Sequence, residues 1–250
     1  MISYKINEVF ESLQGEGSYT GLPSIFVRLQ GCPVGCSWCD TKHTWEISPE
    51  LETTSDKVMA ESTESASWFE HSTAQLLALF EQHNYVAKHI VLTGGEPCLY
   101  DLQELTRTLI DTGYSVQIET SGTFEIKAHP DTWVTVSPKV NMPGGKQVLR
   151  SAMCRANEIK HPIAMEKHIE ELDQVLTLVD DPNKATIYLQ PISQQKRATD
   201  LAIKTCNALR VSMASPAFLI KFVKAWLIMV ASMEAITLLL GKSARMSTSG

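Results

Sequence analysis

Short apolar runs alternate with amphipathic stretches along this chain, from residue 24 to residue 213. The apolar runs predict β-strands over residues 24–30, 88–93, 114–119, 132–137, 157–161, 185–190 and 209–213. The stretches between them predict helices over residues 73–83, 102–112, 146–156, 168–178 and 195–208, the first with Thr73 as its N-cap. Strands that alternate with helices favour a mostly parallel sheet. We therefore expect an α/β fold, a partial (open) TIM-like barrel of about six mostly parallel strands.

Two segments depart from this alternation. Residues 46–72 carry seven acidic residues against one lysine, and we interpret them as an exposed, partly helical insertion. A solvated surface segment explains this composition, and a docking site for a protein partner is the alternative. Residues 214–250 do not continue the pattern, and their longest uncharged run, 225–233, is too short to span a bilayer. We expect one domain over residues 1–213 and an atypical C-terminal extension of unknown role over residues 214–250.

Composition and charge limit the partners of the chain. A net charge of −6 and 44% hydrophobic residues describe an ordinary globular protein. A protein that binds nucleic acid would usually show a basic field, so we expect no nucleic-acid partner. The first residues lack a charged region followed by an apolar one, which predicts a cytoplasmic protein without a signal peptide. We do not expect membrane insertion either.

A loop rich in Gly, Pro and Cys follows the first predicted strand. It contains Cys32, Cys36 and Cys39 in the spacing C-x3-C-x2-C, and clustered thiols in a cytosolic chain indicate a metal or cluster. Thiolates are the usual ligands of iron–sulfur clusters. Three ligands leave one iron of a [4Fe–4S] cluster open, and that iron can chelate the amino and carboxylate groups of S-adenosylmethionine. Electron transfer from the cluster then cleaves this cofactor to a 5′-deoxyadenosyl radical.

A structural zinc site is the alternative for the same cysteines. Closed zinc sites need four ligands, usually in two closely spaced pairs. The nearby fourth candidate is His43, and the sequence has no second pair, which favours the iron–sulfur cluster. The remaining thiols, Cys98, Cys154 and Cys206, are far apart in sequence, and we expect them to be small buried hydrophobic residues.

Polar or glycine-rich motifs follow several other predicted strands. The glycines of the segment from Gly94 to Pro97 would let the backbone approach a ligand closely, with a tight turn as the alternative. Arg28 lies near the end of the first predicted strand, where its guanidinium can bind a substrate carboxylate or form an internal salt bridge. Residues 137–139 and 190–193 end two more strands, at the edge where barrel-like folds place ligand groups.

With these segments in order, the chain resembles the 7-carboxy-7-deazaguanine synthases of the radical S-adenosylmethionine (SAM) superfamily over about residues 4–213. The resemblance rests on the segments FESLQGEG (10–17), RLQGC (28–32), CDTKHTW (39–45), TGGEP (93–97), ETSGT (119–123), VSPK (136–139) and QPIS (190–193). The segment CDTKHTW is far more specific than the cysteines alone. The resemblance implies a catalytic domain over residues 1–213 with the partial barrel of the superfamily.

The resemblance implies a carbon–nitrogen lyase of queuosine and deazapurine biosynthesis, in a tRNA modification pathway. Its implied reaction converts 6-carboxy-5,6,7,8-tetrahydropterin to 7-carboxy-7-deazaguanine with loss of ammonia. The implied cofactors are a [4Fe–4S] cluster, S-adenosyl-L-methionine and Mg²⁺. The implied partners are the small pterin substrate, a reductant protein such as flavodoxin, and a second copy of the chain in a homodimer.

The resemblance also implies site residues, although no catalytic side chain, since the cluster and SAM carry the chemistry. The cluster ligands would be Cys32, Cys36 and Cys39, and Thr41 would bind Mg²⁺. The residues implied in SAM binding are Trp38, Cys39, Asp40, Gly95, Glu96, Ser137, Pro138, Lys139, Gln190, Pro191, Ile192 and Ser193. The residues implied in substrate binding are Leu13, Gln14, Gly15, Glu16, Arg28 and Thr93. Lys160 and His161 end another strand, and we assign them no role.

The resemblance stops abruptly after Met213, where the family's pocket-closing residues are not found. A shifted reading frame and a natural extension both explain the change. Two other functions stay open at this point. One is another radical SAM activity, such as an activase that abstracts hydrogen from a protein glycine, and the other is a protein-binding regulator that acts through residues 46–72 or through the C-terminal extension.

Overall fold

The computed structural model of this protein describes residues 2–61, 63–181, 184–192 and 195–212. Its strands are β1 (Ser3–Leu13), β2 (Pro23–Leu29), β3 (Phe69–Ser72), β4 (His89–Gly94), β5 (Ser115–Thr120), β6 (Trp133–Val136), β7 (Glu158–Ile163) and β8 (Thr186–Pro191). In this part of the chain they form one sheet in the order β3-β1-β2-β4-β5-β6-β7-β8. Strands β2 and β4 to β8 pair in parallel, which confirms the predicted α/β fold with about six parallel strands.

Helices connect most of these strands, and in the described residues they are α1 (Ser55–Ala60), α2 (Thr73–Gln82), α3 (Gln103–Asp111), α4 (Arg150–Arg155), α5 (Glu166–Leu176) and α6 (Lys196–Ser212). Helices α2 to α5 lie where the sequence predicts them, with α4 shorter than expected. The predicted strand at 209–213 is wrong, because residues 209–212 continue α6. Earlier in α6, Ala198, Ala202 and Cys206 are buried at a spacing of four residues, so one face of this helix packs on the sheet.

The N-cap of helix α2 lies one residue before the predicted cap, Thr73. The Ser72 hydroxyl accepts the backbone N–H of Gln75, and the Gln75 side chain accepts the backbone N–H of Ser72 at 2.9 Å. This reciprocal pair is a capping box, and it makes Ser72 the N-cap and Thr73 the first helical residue.

The insertion at residues 46–72 is packed more tightly than its acidic composition predicts. Helix α1 confirms its partly helical character, but the segment ends in β3, which pairs with β1 in antiparallel orientation. Trp68 and Phe69 are buried, and the Trp68 indole N–H donates to the Ser48 carbonyl at 3.0 Å. The prediction of an exposed segment is therefore wrong at its end, where two aromatic side chains anchor it. The alternative of a partner-docking site stays a prediction.

Strand β1 is an element that the sequence pattern does not predict. Tyr4, Ile6 and Val9 are buried, but charged residues such as Lys5 and Glu8 interrupt the apolar run. Pairing with β2 on one side and β3 on the other fixes the segment as a strand. Tertiary pairing thus overrides a weak local signal.

Two buried apolar clusters hold the helices against the sheet. One joins β1, β2, β4 and β5 to α2 and α3, and the other joins β6, β7 and β8 to α4, α5 and α6. Because the parallel strands all point the same way, the loops after them meet at one edge. Among the described residues, no helix is long and apolar enough to cross a membrane. The predicted extension at 214–250 lies outside the described residues.

Candidate active site

A cavity of about 580 Å³ opens at the carboxyl ends of the parallel strands. It is lined by most of the predicted site residues, namely Leu13, Gln14, Gly15, Glu16, Arg28, Cys32, Cys36, Trp38, Cys39, Asp40, Thr41, Thr93, Gly95, Glu96, Ser137, Lys139 and Gln190. These residues come from separate motifs that are far apart in sequence. The fold therefore brings the predicted cluster, cofactor and substrate residues to one place.

A second cavity of about 700 Å³ adjoins the first, and Trp38, Asp40, Lys139 and Gln190 line both. Three further predicted SAM residues line this second cavity, namely Pro138, Pro191 and Ile192. The remaining one, Ser193, lies outside the described residues. The Trp38 side chain is 61% exposed, so it can offer a ring face to a planar ligand at the border of the two cavities.

Backbone hydrogen bonds fix both ends of the cysteine loop. The N–H of Gly31 donates to the Thr44 carbonyl at 2.6 Å, and that of Cys32 donates to the Trp45 carbonyl at 3.0 Å. Inside the loop, the Cys39 N–H donates to the Cys36 carbonyl at 3.1 Å. The loop thus closes on itself, and its three cysteines line the first cavity.

The three thiols of the loop are free and line one cavity, and thiols are the donors that a [4Fe–4S] cluster takes. Burial raises the pKa of Cys32 to about 11 and also raises the pKa of Cys36, although the positive charge of Lys139 partly offsets the shift at Cys36. Buried thiols ionise readily only against a strong positive charge, and iron supplies that charge when it binds thiolates. Three free thiols on the wall of one cavity match the donor set of a cluster with one open iron.

Cys39 has two polar neighbours at its sulfur. The Trp45 indole N–H donates to Cys39 Sγ at 3.4 Å, and the Thr41 hydroxyl lies 3.5 Å from the same sulfur. The Thr41 hydroxyl also donates to the Gly94 carbonyl at 3.3 Å. Thr41 therefore joins the cysteine loop to the end of β4, and Trp45 supplies a donor to a predicted cluster ligand.

Two glycines at the end of β4 are required by close packing. Gly94 has φ of +102°, and a Cβ there would lie 2.5 Å from the Leu29 nitrogen. A Cβ on Gly95 would overlap the carbonyl oxygen of Gly31. The structure thus explains these glycines by the contact between β4, β2 and the cysteine loop. Their predicted approach to a ligand stays a prediction.

The Glu96 carboxylate is buried and is occupied by hydrogen bonds within the protein. One oxygen accepts the Thr120 hydroxyl at 2.6 Å and the Cys98 N–H at 3.0 Å. The other accepts the backbone N–H of Ser121 at 2.8 Å as well as its hydroxyl. Glu96 therefore joins the loops after β4 and β5, which the sequence does not predict. A contact between Glu96 and SAM stays a prediction.

A polar cluster borders both cavities, with the buried Lys160 ammonium group at its centre and two partly exposed carboxylates around it. Lys160 Nζ lies 2.7 Å from Glu16 Oε2 and 3.0 Å from Glu119 Oε2. The Gln190 amide donates to Glu16 Oε1 at 2.5 Å, and the Gln14 amide donates to Glu119 Oε1 at 3.1 Å. Burial alone would raise the pKa of Glu16, but Lys160 outweighs it and the net pKa is lowered. The two carboxylates likewise raise the pKa of Lys160 against the effect of burial.

Gly17 lets the loop after β1 turn into this cluster. Its φ is +67°, and a Cβ would overlap the carboxylate of Glu158. That carboxylate accepts the Ser18 N–H at 2.7 Å. The side-chain carbonyl oxygen of Gln14 accepts the Glu16 N–H at 3.1 Å. These contacts fix the direction in which Glu16 points.

Lys139 contributes a second buried positive charge. Its ammonium group donates to the Ser137 hydroxyl at 2.8 Å, and burial lowers its pKa. Both residues belong to the loop after β6, whose predicted role is SAM binding. A partly desolvated ammonium group at this point favours an anionic neighbour such as a cluster or a carboxylate.

Arg28 pairs within the protein and also faces the first cavity. Its Nε lies 2.9 Å from Glu8 Oε2, and its guanidinium lies 5.5 Å from the centre of the Phe10 ring. The alternative of an internal salt bridge is therefore confirmed. Arg28 Nε is buried whereas Glu8 is half-exposed, so the pair is only partly buried, and binding of a substrate carboxylate by Arg28 stays a prediction.

Several cavity residues were not predicted as site residues. The polar ones include Lys160, Glu119, Thr120, Ser121 and Trp45. The last four lie inside motifs that carry the resemblance, so their motifs were the available signal. Lys160 lies inside β7, which runs on to Ile163 and does not end at His161 as predicted. Of the cysteines outside the loop, Cys98 and Cys206 are buried as predicted, whereas Cys154 is only half-buried.

Comparisons with known proteins agree with this geometry. The sequence model of the Radical SAM superfamily matches residues 26–141. A 7-carboxy-7-deazaguanine synthase of Escherichia coli (strain K12) is 54% identical over 207 residues, which cover 83% of this chain and 93% of the relative. One from Buchnera aphidicola subsp. Schizaphis graminum is 44% identical over 203 residues, covering 81% and 91%.

The fold is similar to that of a solved structure. A crystal structure of QueE from Escherichia coli superposes with a TM-score of 0.81 at 53% sequence identity. The match covers 83% of this chain and 91% of the other.

Proposed function

Since this chain belongs to the family of 7-carboxy-7-deazaguanine synthases, we propose that its cavity binds 6-carboxy-5,6,7,8-tetrahydropterin and converts it to 7-carboxy-7-deazaguanine with loss of ammonia. The protein is a radical SAM lyase, and its superfamily uses a [4Fe–4S] cluster and SAM. The observation that carries the proposal is the convergence of separate motifs on one cavity. Family membership argues against the alternative of an activase that acts on a protein glycine.

In this proposal the cysteine loop holds the cluster and the neighbouring loops hold SAM. Cys32, Cys36 and Cys39 supply the three ligands, and the bound cluster and SAM supply the one-electron chemistry that begins the reaction. Trp38 stacks on the adenine from the border of the two cavities. The loops at 137–139 and 190–193 bind the rest of the nucleoside, supported by their position along both cavities.

The substrate is recognised by the loop after β1 and by Arg28. A pterin presents N–H donors and carbonyl acceptors along its edge, and the Glu16 carboxylate can accept from such donors. Arg28 binds the substrate carboxylate once the half-exposed Glu8 side chain moves away from the guanidinium. Residues at the rim of the first cavity, Leu13 and Thr93, complete the wall.

Mg²⁺ binds at Thr41 in this proposal. Mg²⁺ prefers oxygen ligands and commonly takes one or two from the protein and others from substrate and water. The Thr41 hydroxyl lines the first cavity beside Cys39, so it can share a cation with the carboxylate of a bound pterin. This arrangement would order the substrate next to the cofactor.

The proposal also includes partners and a location. A reductant protein such as flavodoxin delivers the electron, and two chains form a homodimer. A cytoplasmic location suits the six cysteines, because no described cysteine is in a disulfide and free thiols persist in that compartment.

The test is an anaerobic assay of reconstituted protein with SAM, Mg²⁺, reductant and 6-carboxytetrahydropterin, with products measured by mass spectrometry. We expect a peak of 7-carboxy-7-deazaguanine. Cleavage of SAM to 5′-deoxyadenosine without that product would refute the proposed substrate but keep the radical chemistry. Absence of both from a fully cluster-loaded protein would refute the proposal as a whole.

A further inference from the structure

Lys160 occupies the wall shared by the two cavities, although the family resemblance assigns it no role. It lies on β7, and its side chain is 5% exposed. Its ammonium group bridges Glu16, from the loop after β1, and Glu119, near the end of β5. One buried cation thus contacts carboxylates from two elements that both reach the substrate side of the site.

Lys160 is the main group that holds Glu16 in its charged form, because it offsets the effect of burial on the pKa of that carboxylate. Without that cation, the neighbouring Glu119 carboxylate and the partial burial of Glu16 both disfavour the charged form of Glu16. The other charged groups nearby are Lys139, which also acts on Glu16, and Glu158, which binds the loop at Ser18. Lys139 does not contact either carboxylate as an ion pair in the described residues, so Lys160 is the cation that bridges them.

The orientation of Glu16 matters as much as its charge. One carboxylate oxygen accepts from Lys160 and the other from Gln190 at 2.5 Å. Gln190 lies near the end of β8, among the proposed SAM contacts, so Glu16 connects the substrate side to the cofactor side. A carboxylate held from two directions can accept from a ligand along its remaining lone pairs only in one orientation.

We propose that Lys160 is a positioning residue that keeps Glu16 ionised and oriented so that it accepts hydrogen bonds from the N–H donors of the pterin. This inference rests on the proposed function, because it assumes that the pterin binds against Glu16. Lys160 acts through the two carboxylates and does not touch the reacting atoms. Its neutral replacement therefore weakens substrate binding and leaves SAM binding intact.

The test compares wild-type enzyme with Lys160→Met, which has a similar length and no charge. Both are reconstituted with cluster and titrated with 6-carboxytetrahydropterin in the presence of SAM and Mg²⁺ but without reductant, so that binding is measured without turnover. For K160M we expect the dissociation constant of the pterin to rise at least about tenfold. We expect the dissociation constant of SAM to stay within about twofold, since the lost contacts lie on Glu16 and Glu119.

The pH dependence of pterin binding is the second readout. In K160M, burial acts on Glu16 without its main cation, so the pKa of Glu16 rises. The variant should therefore lose affinity for the pterin at a higher pH than wild type as the pH falls. Lys160→Arg keeps a positive charge and should retain the wild-type pH dependence.

Three outcomes would overturn the inference. They are unchanged pterin affinity in K160M, an equal loss of SAM and pterin affinity, and an unchanged pH profile. If K160M does not load its cluster, Lys160→Gln carries the same expectations with a neutral side chain that can still donate to one carboxylate. A wild-type enzyme that neither binds nor converts the pterin would instead refute the proposed function, so the two failures are distinguishable.

Discussion

The Glu96 carboxylate accepts the backbone N–H of Ser121 at 2.8 Å, and this bond joins the loop after β4 to the loop after β5. Both loops line the first cavity. A glutamate that follows two glycines at a strand end suggests a ligand contact, but here its oxygens are occupied by the protein. The glycine-rich motif thus forms part of the wall of the first cavity.

Replacement of Glu96 by Ala should destabilise the protein markedly. The change leaves the Thr120 hydroxyl and the Ser121 N–H buried without their acceptor, which costs about 2–4 kcal/mol of unfolding free energy. Urea denaturation of the cluster-free protein measures it, with the exposed Glu81→Ala on α2 as control. Equal unfolding free energies for the two variants would contradict this role.

Replacement of Gly17 by Ala tests the turn that directs Glu16. Gly17 and Gly21 both have positive φ, +67° and +88°, but a Cβ overlaps Glu158 at Gly17 and meets nothing within 4 Å at Gly21. Gly21→Ala should cost about 1 kcal/mol of unfolding free energy from its backbone conformation. Gly17→Ala should cost about 1–3 kcal/mol more from the overlap and should weaken pterin binding. Denaturation curves and pterin titrations of the two variants measure both effects. Equal unfolding free energies and equal pterin affinities for the two variants would contradict the proposed role of Gly17 in directing Glu16.

Removal of the indole N–H near Cys39 should change the reduction potential of the cluster. Hydrogen bonds to ligand sulfur stabilise the reduced, more negative cluster, so Trp45→Phe should make the potential more negative. Redox titration followed by electron paramagnetic resonance measures it. Trp133→Phe is the control, because Trp133 lies at the amino end of β6 and the cavity opens at the carboxyl ends of the strands. A shift of equal size in both variants would show that the Trp45 donor has no specific effect.

The hydroxyl of Thr41 should determine the response to Mg²⁺. Thr41→Val keeps the shape of the side chain without its oxygen, and we expect the Mg²⁺ concentration for half-maximal activity to rise about tenfold or more. Thr41→Ser keeps the oxygen and should respond like wild type. An unchanged Mg²⁺ dependence in T41V would remove Thr41 from the proposed metal site.

Buried His161 should make the protein less stable at mildly acidic pH. Burial lowers its pKa from 6.5 to about 4, and the ring is 4% exposed. Below pH 6.5 the unfolded chain binds a proton that the folded protein does not, so stability falls as the pH drops toward 4. Between pH 7 and pH 5 this residue should account for a loss of about 2 kcal/mol. Urea denaturation at both pH values should show a smaller loss in His161→Asn, and an equal loss would contradict the assignment.

Much of the fold could be predicted from local sequence. The strand–helix alternation places β2 and β4 to β8 within a few residues, because buried parallel strands are short, apolar and bounded by turn residues. Strand β1 could not be predicted in this way, since charged residues interrupt its apolar run. Its pairing with two neighbouring strands fixes it as a strand. The segment at 209–212 shows the opposite error, where a strand-like run continues α6.

The sequence by itself determined the cysteine spacing, the order of the motifs and their positions at strand ends, because these are local properties of the chain. Tertiary structure alone decided which groups meet. Glu16, Glu119 and Lys160 form one ion-paired cluster although they belong to the loop after β1, to β5 and to β7, respectively. Similarly, the Glu96 carboxylate accepts the backbone N–H of Ser121, a partner that the sequence does not predict. The physical reason is that parallel strands deliver distant residues to one edge, where burial forces each polar group to find a partner among whatever neighbours the fold provides.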